Sequence, residues 1–486
     1  MTDDQETLRK KQDLVSGSLV ANLTRMGLPL AAGMVLHSFY NITDAFWLGR
    51  HSPEALAAPG VTMPFFFFVV SFGMGFGNAG TALVAQFTGA RRYREADHAA
   101  GQVLMLLLML ASALSLPFVI FTRPLMVIYG VPEAALVQVV AYFRIMMIAM
   151  PLIAFNIAYG AVLRALGDTI AVVIIGIVTN VVNVILDPFL IFGWAGLPEM
   201  GAAGAAVATV ISQVIAAGAC LLLIRQRRAG LEMRMSDLPP DWPILKKILK
   251  VGFPAAFGNS SSSLGFMGFQ GMINVLGVTV IGAFTIGFRL VHFFNIPSQA
   301  LAMAAAPIVG QALGAGKPAL ARRVVRLSVT IVGLGMIVPI ALVMWQGRFV
   351  ASLFVADPDV IAETGRFFLI VPASSYCFGV IMVLLAAFYG SGHTWPPFIL
   401  SVLRLWFLRI PVAYILGFVL GLGSIGVYGG MVVGNVFSAV LALAFFRWID
   451  WQHAIVPAPL REEKTVVEDV AVPAGASTSA PQRDSA

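Results

Sequence analysis

Long apolar runs, almost free of charged residues, constrain this chain more than any other feature. Twelve can be drawn between about residue 26 and residue 446, each long enough for the roughly 20 residues that a helix needs to cross a bilayer. Of the 486 residues, 59% are hydrophobic and only 11% are charged. Soluble domains are about a quarter charged, and the strands of membrane barrels alternate polar with apolar residues, so both classes are excluded. The sequence predicts an all-α polytopic membrane protein with twelve transmembrane helices.

Lysine and arginine are distributed unevenly between the segments that join these spans. If the N-terminus is cytoplasmic, the inner segments contain 23 of the 31 Lys and Arg residues and the outer loops contain three. Cytoplasmic loops of membrane proteins carry such an excess of positive charge. We therefore predict a multi-pass protein of the plasma membrane, here a bacterial inner membrane, with both termini in the cytoplasm.

The two halves of the chain repeat each other at one constant, ungapped offset. Val84–Ala90 matches Val309–Ala315, and Gly27-Leu-Pro29 matches Gly252-Phe-Pro254 at the same offset. Six helices per repeat is an even number, so both halves run in the same direction through the membrane. The predicted organisation is a cytoplasmic N-terminal tail (1–22), a six-helix bundle (23–229), a cytoplasmic linker (230–247), a second six-helix bundle (248–450) and a disordered cytoplasmic tail (451–486).

Only two of the 24 acidic residues, Asp44 and Asp187, lie well inside the apolar spans. A carboxylate at this depth costs a few kcal/mol on insertion scales, which makes it a candidate functional group. Both fall in the outer half of the first bundle, near other oxygen-bearing side chains: Asn41, Asn156, Asn180, Asn183 and Thr209. Such a cluster can hold protons, or bind Na⁺ through Asp44, Asn183 and Asp187. The alternative is structural: one aspartate caps a broken helix or pairs with Arg144.

Five segments together resemble the multidrug and toxic compound extrusion (MATE) family of transporters. They are Asn41–Arg50, Thr81–Gly89, Leu163–Thr169, Asn183–Gly193 and Gly201–Thr209. The resemblance covers residues from about 20 to 450. It implies two six-helix bundles in a V shape that export organic cations by alternating access, in exchange for protons or sodium.

The resemblance is to the DinF-like branch, in which the coupling site lies in the first bundle. The matching residues here are Asp44, Asn156, Asn183, Asp187 and Thr209. That branch also implies bending of the first helix at a proline, which would be Pro29. The NorM-like branch has acids in spans 7 and 10 of the second bundle, and this sequence lacks them, so a second-bundle carboxylate site is not expected.

The predicted function is multidrug efflux by a monomeric antiporter, not an enzyme, with small organic cations and membrane lipid as its partners. Neither a cofactor nor nucleic acid is expected, and Asn41, Asn180, His37 and Pro29 are supporting residues. The chain contains no G-x-x-x-x-G-K-[ST] motif, so an ion gradient is expected to drive export. The alternative is a lipid-linked oligosaccharide flippase, whose pyrophosphate would be bound by arginines in one central cavity: Arg144, Arg289, Arg366, Arg404 and Arg409.

Overall fold

A computed structural model describes residues 13–227 and 230–456, and this part of the chain is built from helices and turns. The predicted all-α membrane fold is confirmed, with twelve long helices. They are α1 (Leu19–His51), α2 (Pro53–Gly89), α3 (Tyr93–Ile120), α4 (Glu133–Ala165), α5 (Thr169–Phe192), α6 (Ala202–Arg225), α7 (Trp242–Val275), α8 (Val278–Gly314), α9 (Pro318–Ser352), α10 (Pro358–Ser391), α11 (Trp395–Val419) and α12 (Gly423–Trp448). A short helix, Thr122–Ile128, joins α3 to α4.

Eleven of these helices are long and apolar enough to cross a membrane. The remaining one, α7, has 34 residues, but Lys246, Lys247 and Lys250 lie in its first turns and four serines follow at 260–263. Large apolar side chains lie on the outer surface of the helices; Val338 on α9, for example, is 72% exposed. In a bilayer these side chains contact lipid, so their exposure costs nothing.

The repeat seen in the sequence is also a repeat of structure. Helices α2 and α8 each have 37 residues, and they begin and end at equivalent positions of the two repeats. Within the first half, α2 packs on α3 and α4, α4 on α6, and α1 on α5. Within the second half, α8 packs on α9 and α10, α10 on α12, and α7 on α11. The halves are therefore two pseudo-symmetric six-helix bundles.

Equivalent turns join α4 to α5 and α10 to α11. Gly167 lies in the first connection with φ +85°, and Gly392 lies in the second with φ +79°. Only glycine adopts this left-handed conformation without a steric penalty, which explains the Gly at the same place in both repeats. After Gly167, the Asp168 carboxylate accepts a hydrogen bond of 3.0 Å from the Ala171 N–H and caps α5.

The two bundles meet along α2 and α8 at the end of the molecule where both described chain ends lie, which we call the terminal side. A Cβ atom on Gly89 would overlap the carbonyl group of Gln311, and one on Gly314 would overlap that of Gln86. The first helix of each half also contacts the other half: α1 packs against α8, and α7 packs against α2. Small residues at such positions let the backbones of membrane helices approach closely.

Three predicted boundaries need correction. Helix α1 begins at Leu19, inside the predicted tail 1–22, and α7 begins at Trp242, inside the predicted linker 230–247, because both helices extend beyond the apolar residues that define a span. Residues 451–456 of the predicted disordered tail are packed, with Trp451 fully buried. The remainder of that tail, and residues 1–12, lie outside the described residues.

The segment between the bundles is attached to the terminal end of α3 through Asp237. This residue is 1% exposed, and its carboxylate accepts two hydrogen bonds from the Arg94 guanidinium, at 2.5 and 2.7 Å. Burial by itself would raise the pKa of Asp237, but the bonds from Arg94, the Arg234 N–H and His98 outweigh it, so this pKa lies below its ordinary value. Gln102 adds bonds of 2.7 Å to the Asp237 and Pro239 carbonyls. The linker is therefore a docked element.

Candidate ion-coupling site

The centre of the candidate site lies between α5 and α6. Asn183 and Asp187 are one turn apart on α5 and are 2% and 0% exposed. With its amide nitrogen turned towards Asp187, Asn183 donates to Oδ2 at 3.3 Å, while its amide oxygen accepts from the Thr209 N–H at 3.1 Å and from Thr209 Oγ1 at 3.3 Å. The structure thus brings three of the predicted residues together, and Asn183 links the carboxylate to α6.

Asp44 approaches this group from α1, which packs against α5. Its Oδ1 atom is buried without a hydrogen-bond partner, and so is Oδ1 of Asp187. The two carboxyl groups are close enough to interact electrostatically. Neither forms an ion pair within residues 13–227 and 230–456, so the structure does not favour the alternative in which Arg144 neutralises an aspartate.

Two tyrosines belong to the same environment and were missed by the sequence analysis. The Tyr40 side chain reaches Thr209 and lies within electrostatic range of both aspartates. Tyr142 on α4 lies within range of the same two carboxyl groups and of Tyr40. Tyr40 precedes Asp44 by four residues, so helical periodicity places both on one face and would have identified it. Tyr142 has no comparable signal, because α4 approaches this site only through tertiary packing.

Asn156 on α4 is hydrogen-bonded elsewhere. Its Nδ2 donates to the carbonyl and to Oε1 of Gln213, at 3.1 and 2.7 Å, and its Oδ1 accepts a weak bond from the Cys220 thiol. Gln213 was missed as well, although it follows Thr209 by four residues on α6 and therefore shares a face with it. Asn156 thus joins α4 to α6 one turn after Thr209.

The supporting residues lie on α1 and α5. Asn41 is exposed and donates to the His37 carbonyl in its own helix at 3.1 Å, so it does not reach the carboxylates. His37 is exposed and lies beside Asn180 of α5. Helix α1 continues through Pro29 without a break. The missing backbone N–H of this proline is a place where α1 can bend.

Charge is the main chemical property of the site. Ionised carboxyl groups cost several kcal/mol each when buried without partners. Asp44 and Asp187 together therefore favour uptake of a positive charge, either a proton or a cation coordinated by oxygen atoms. In the part of the chain that the structure describes, no group of three or more His, Cys, Asp or Glu side chains is arranged to hold a metal ion. A cation here would depend on the amide and hydroxyl oxygens of Asn183 and Thr209 as well as on carboxylates.

The second bundle contains no copy of this cluster. Phe269 and Val412 occupy the positions equivalent to Asp44 and Asp187, and Phe269 is fully buried in an aromatic core. The five arginines considered for a pyrophosphate do not line one cavity. Arg144 and Arg289 are exposed, and Arg366 is exposed and paired with Glu363, while Arg404 and Arg409 are buried.

Comparisons with known proteins agree with this architecture. The sequence pattern described as MatE matches residues 29–189 and 254–415, one copy in each half. A probable multidrug resistance protein NorM of Thermotoga maritima is 26% identical over 437 residues, covering 89% of this chain and 93% of that protein. An FAD transporter of Shewanella oneidensis is 26% identical, covering 84% and 90% of the two chains. A crystal structure of MATE in the straight conformation superposes with a TM-score of 0.83 at 25% identity, covering 92% of this chain and 98% of that one.

Proposed function

The chain belongs to the MATE family of transporters, and on this basis we propose that it is a secondary multidrug efflux antiporter. It exports organic cations in exchange for protons, with sodium as the alternative coupling ion. The ion is taken up by Asp44 and Asp187, and Asn183 and Thr209 orient the carboxylates; Asn156, through Gln213, sets the position of α4 beside them. Export proceeds by alternating access across the bacterial inner membrane, by a monomer whose termini are cytoplasmic.

One observation carries this proposal: Asp187 is fully buried and has an oxygen without a partner, beside a second unpaired carboxyl group at Asp44. A cationic drug and the coupling ion neutralise the same charge, so their occupancies exclude each other. Protonation from the outside weakens binding of the drug and releases it. Deprotonation towards the cytoplasm restores the binding site, and the cycle repeats.

The test is export of a fluorescent organic cation in everted vesicles, driven first by a pH gradient alone and then by a sodium gradient alone. We expect proton-driven export by the wild type and background export by Asp187→Asn. The matched control is Asp359→Asn, the same change at an exposed carboxylate at the start of α10, which should export normally. Sodium-driven export that is lost in Asp187→Asn would support the same coupling site with sodium, rather than the proton, as the coupling ion. Normal export by Asp187→Asn would refute the coupling mechanism.

The cargo needs its own control, because the relatives are named for different cargoes. One is named for multidrug resistance and another for FAD. The same vesicles should therefore be assayed with FAD as an anionic cargo. Uptake of the cation without uptake of FAD supports the proposal. Uptake of FAD alone would overturn the assignment of organic cations as the exported class.

A further inference from the structure

Two buried arginines in the second bundle have no acidic partner. Arg404 and Arg409, both in the middle third of α11, are 8% and 6% exposed. Within residues 13–227 and 230–456, neither takes part in an ion pair, and Glu363 of α10 is already paired with Arg366 at 3.0 Å. Nε and Nη1 of Arg404 and Nε of Arg409 are buried without any hydrogen-bond partner. These N–H donors carry positive charge in an apolar bundle, so they require compensation.

The local backbone brings the two guanidinium groups to the same side of α11. Residues five apart in an α-helix are separated by about 140° around the axis. Leu403–Arg409, however, is a π-helical segment, in which hydrogen bonds join residues five apart, so the side chains at 404 and 409 lie nearer to one face than in an α-helix. The two guanidinium groups interact electrostatically with each other. A π-helical turn inside a long helix is frequently associated with a functional site.

The surrounding side chains provide neutral partners only. Arg409 Nη2 donates to Asn435 Oδ1 at 2.7 Å, and Asn435 donates to Ser374 Oγ at 3.1 Å. Arg404 lies over the ring of Phe378 and Arg409 over that of Phe269, with centroid distances of 5.1 and 5.8 Å. Aromatic faces compensate part of a cationic charge. The rings do not accept hydrogen bonds from N–H groups in the guanidinium plane, so Nε and Nη1 of Arg404 and Nε of Arg409 still lack an acceptor.

A further buried donor lies on α12, the helix that provides Asn435. Ser438, one turn after Asn435 on α12, has a buried hydroxyl without a partner. Gly434, one turn before Ser438, approaches both arginines: a Cβ atom there would lie 3.1 Å from Arg409 Cβ and 3.3 Å from the Arg404 carbonyl oxygen. The small residue at 434 lets α12 lie directly against the π-helical segment.

We propose that Arg404 and Arg409, with Ser438, form an anion-binding site between α11 and α12. Its ligand is a small anion or an anionic group, a halide, carboxylate or phosphate, that accepts hydrogen bonds from the guanidinium donors. Planar guanidinium groups suit carboxylate and phosphate oxygens in particular. The second bundle would thus bind negative charge where the first bundle carries two carboxylates. This inference does not depend on the proposed coupling mechanism.

Binding can be measured on the purified full-length protein without transport, through its thermal unfolding temperature. Sodium methanesulfonate, whose anion is a weak hydrogen-bond acceptor, is replaced at constant ionic strength by chloride, bromide or phosphate in one arm, and by benzoate or phenyl phosphate in the other. A ligand of the folded state raises the unfolding temperature in a concentration-dependent way. Stabilisation by the inorganic ions identifies a free anion as the occupant. Stabilisation by the organic anions alone identifies an anionic group of a larger molecule.

Variants show whether the effect arises at these residues. We expect Arg404→Met to lower the apparent affinity for the stabilising anion by about tenfold or more, because it removes charge-assisted hydrogen bonds. This variant should still fold, since methionine places an apolar side chain where a guanidinium lacks polar partners. Arg409→Gln should weaken it too, and Arg289→Gln, which neutralises an exposed arginine of the same bundle, should leave it unchanged.

Crystals soaked in bromide give an independent readout from anomalous scattering. We expect a bromide peak in contact with both guanidinium groups. An anion response equal in wild type and Arg404→Met would overturn the proposal. So would a bromide peak only at other residues, or the absence of any anion effect relative to methanesulfonate. Because none of these measurements uses export, failure of the antiport mechanism would leave their interpretation unchanged.

Discussion

Gln86 and Gln311, which occupy equivalent positions of the two repeats, join the two bundles through the same hydrogen bond made twice. Gln86 Nε2 donates to the Gly390 carbonyl at 3.1 Å, and Gln311 Nε2 donates to the Ala165 carbonyl at 2.9 Å. The two carbonyls also belong to equivalent residues of the repeats. Each glutamine thus reaches from α2 or α8 to the last turn of a helix in the opposite half, and all four groups lie on the terminal side.

Each amide oxygen of this pair also binds a chain end. Gln311 Oε1 accepts from the Leu14 N–H at 3.1 Å, and Gln86 Oε1 accepts from the Ile455 and Val456 N–H groups at 2.7 and 3.3 Å. Opening the molecule on the terminal side requires all of these bonds to break. The glutamine pair is therefore part of the closure on that side.

We predict that Gln86→Leu or Gln311→Leu shifts the population towards the form that is open on the terminal side. Gln86→Leu removes three hydrogen bonds and Gln311→Leu removes two. At about 1 kcal/mol for each bond, the shift should be about thirtyfold or more for one variant and larger for both. Spin labels at residues 91 and 317, exposed positions just after α2 and α8, would report it as a longer distance. Gln270→Leu, at a half-buried glutamine whose side chain donates to Asn274 of its own helix, is the control. An unchanged distance in the double variant would refute the role in closure.

We predict a pH dependence of stability that arises from Asp237. Its pKa is lower in the folded protein than the ordinary value of 3.8, so the unfolded chain binds the proton more readily. The stabilisation is complete above the ordinary value, and it is lost as the pH falls below that value through the depressed one. Thermal unfolding of the wild type between pH 6 and the acid limit should show this loss.

Asp237→Asn should lower the stability at neutral pH by about 1–3 kcal/mol, because it leaves the Arg94 donors without their carboxylate. It should also remove the acid-dependent part of the curve. Asp359→Asn changes an exposed carboxylate and is the control. If the two variants titrate alike, the attachment of the linker through Asp237 contributes nothing to stability.

Thr209 is predicted to act through its hydroxyl group. Thr209→Val keeps the shape and removes the oxygen that contacts Asn183, so proton-driven export should fall by about five- to tenfold, while Thr209→Ser should export like the wild type. The readout is the initial rate of cation export in everted vesicles, with protein amount matched. Equal rates in the valine and serine variants would mean that the hydroxyl plays no part.

Close approach of the backbones predicts the effect of Gly314→Ala. The added Cβ would overlap the Gln86 carbonyl, and overpacking of this kind costs about 1–3 kcal/mol. Gly335→Ala on α9 is the matched control, because nothing lies within 4 Å of a Cβ atom placed there and alanine is the better helix former. The unfolding temperature should therefore fall in Gly314→Ala and should stay level or rise in Gly335→Ala. The opposite order would contradict the tight α2–α8 crossing.

Much of the fold could be predicted because its signals are local. An apolar run of sufficient length is a membrane helix whatever its neighbours, and the matched segments around Gln86 and Gln311 revealed the repeat. Part of the site could be predicted in the same way, since a carboxylate within an apolar span is conspicuous. The association of Asp187 with Asn183 also follows from their spacing of one turn.

Contacts between distant segments could not be predicted in this way. Tyr142 enters the site from α4, and Asn156 turns out to bind Gln213. Residues 451–456 are packed, although they begin a tail whose overall composition suggested disorder. In each case the partner lies on a helix or segment whose orientation is set by packing rather than by its own composition.

The sequence by itself determined the number of spans, the two-fold repeat and the presence of two carboxylates in the first half. Only the tertiary structure decided which faces meet: Gln86 with Gly390, Asn183 with Thr209, and Arg404 with Arg409 through a π-helical turn. The physical reason is that lipid is as apolar as a helix surface. Hydrophobicity inserts each helix but does not select its neighbours, so close packing and hydrogen bonds between helices make that choice.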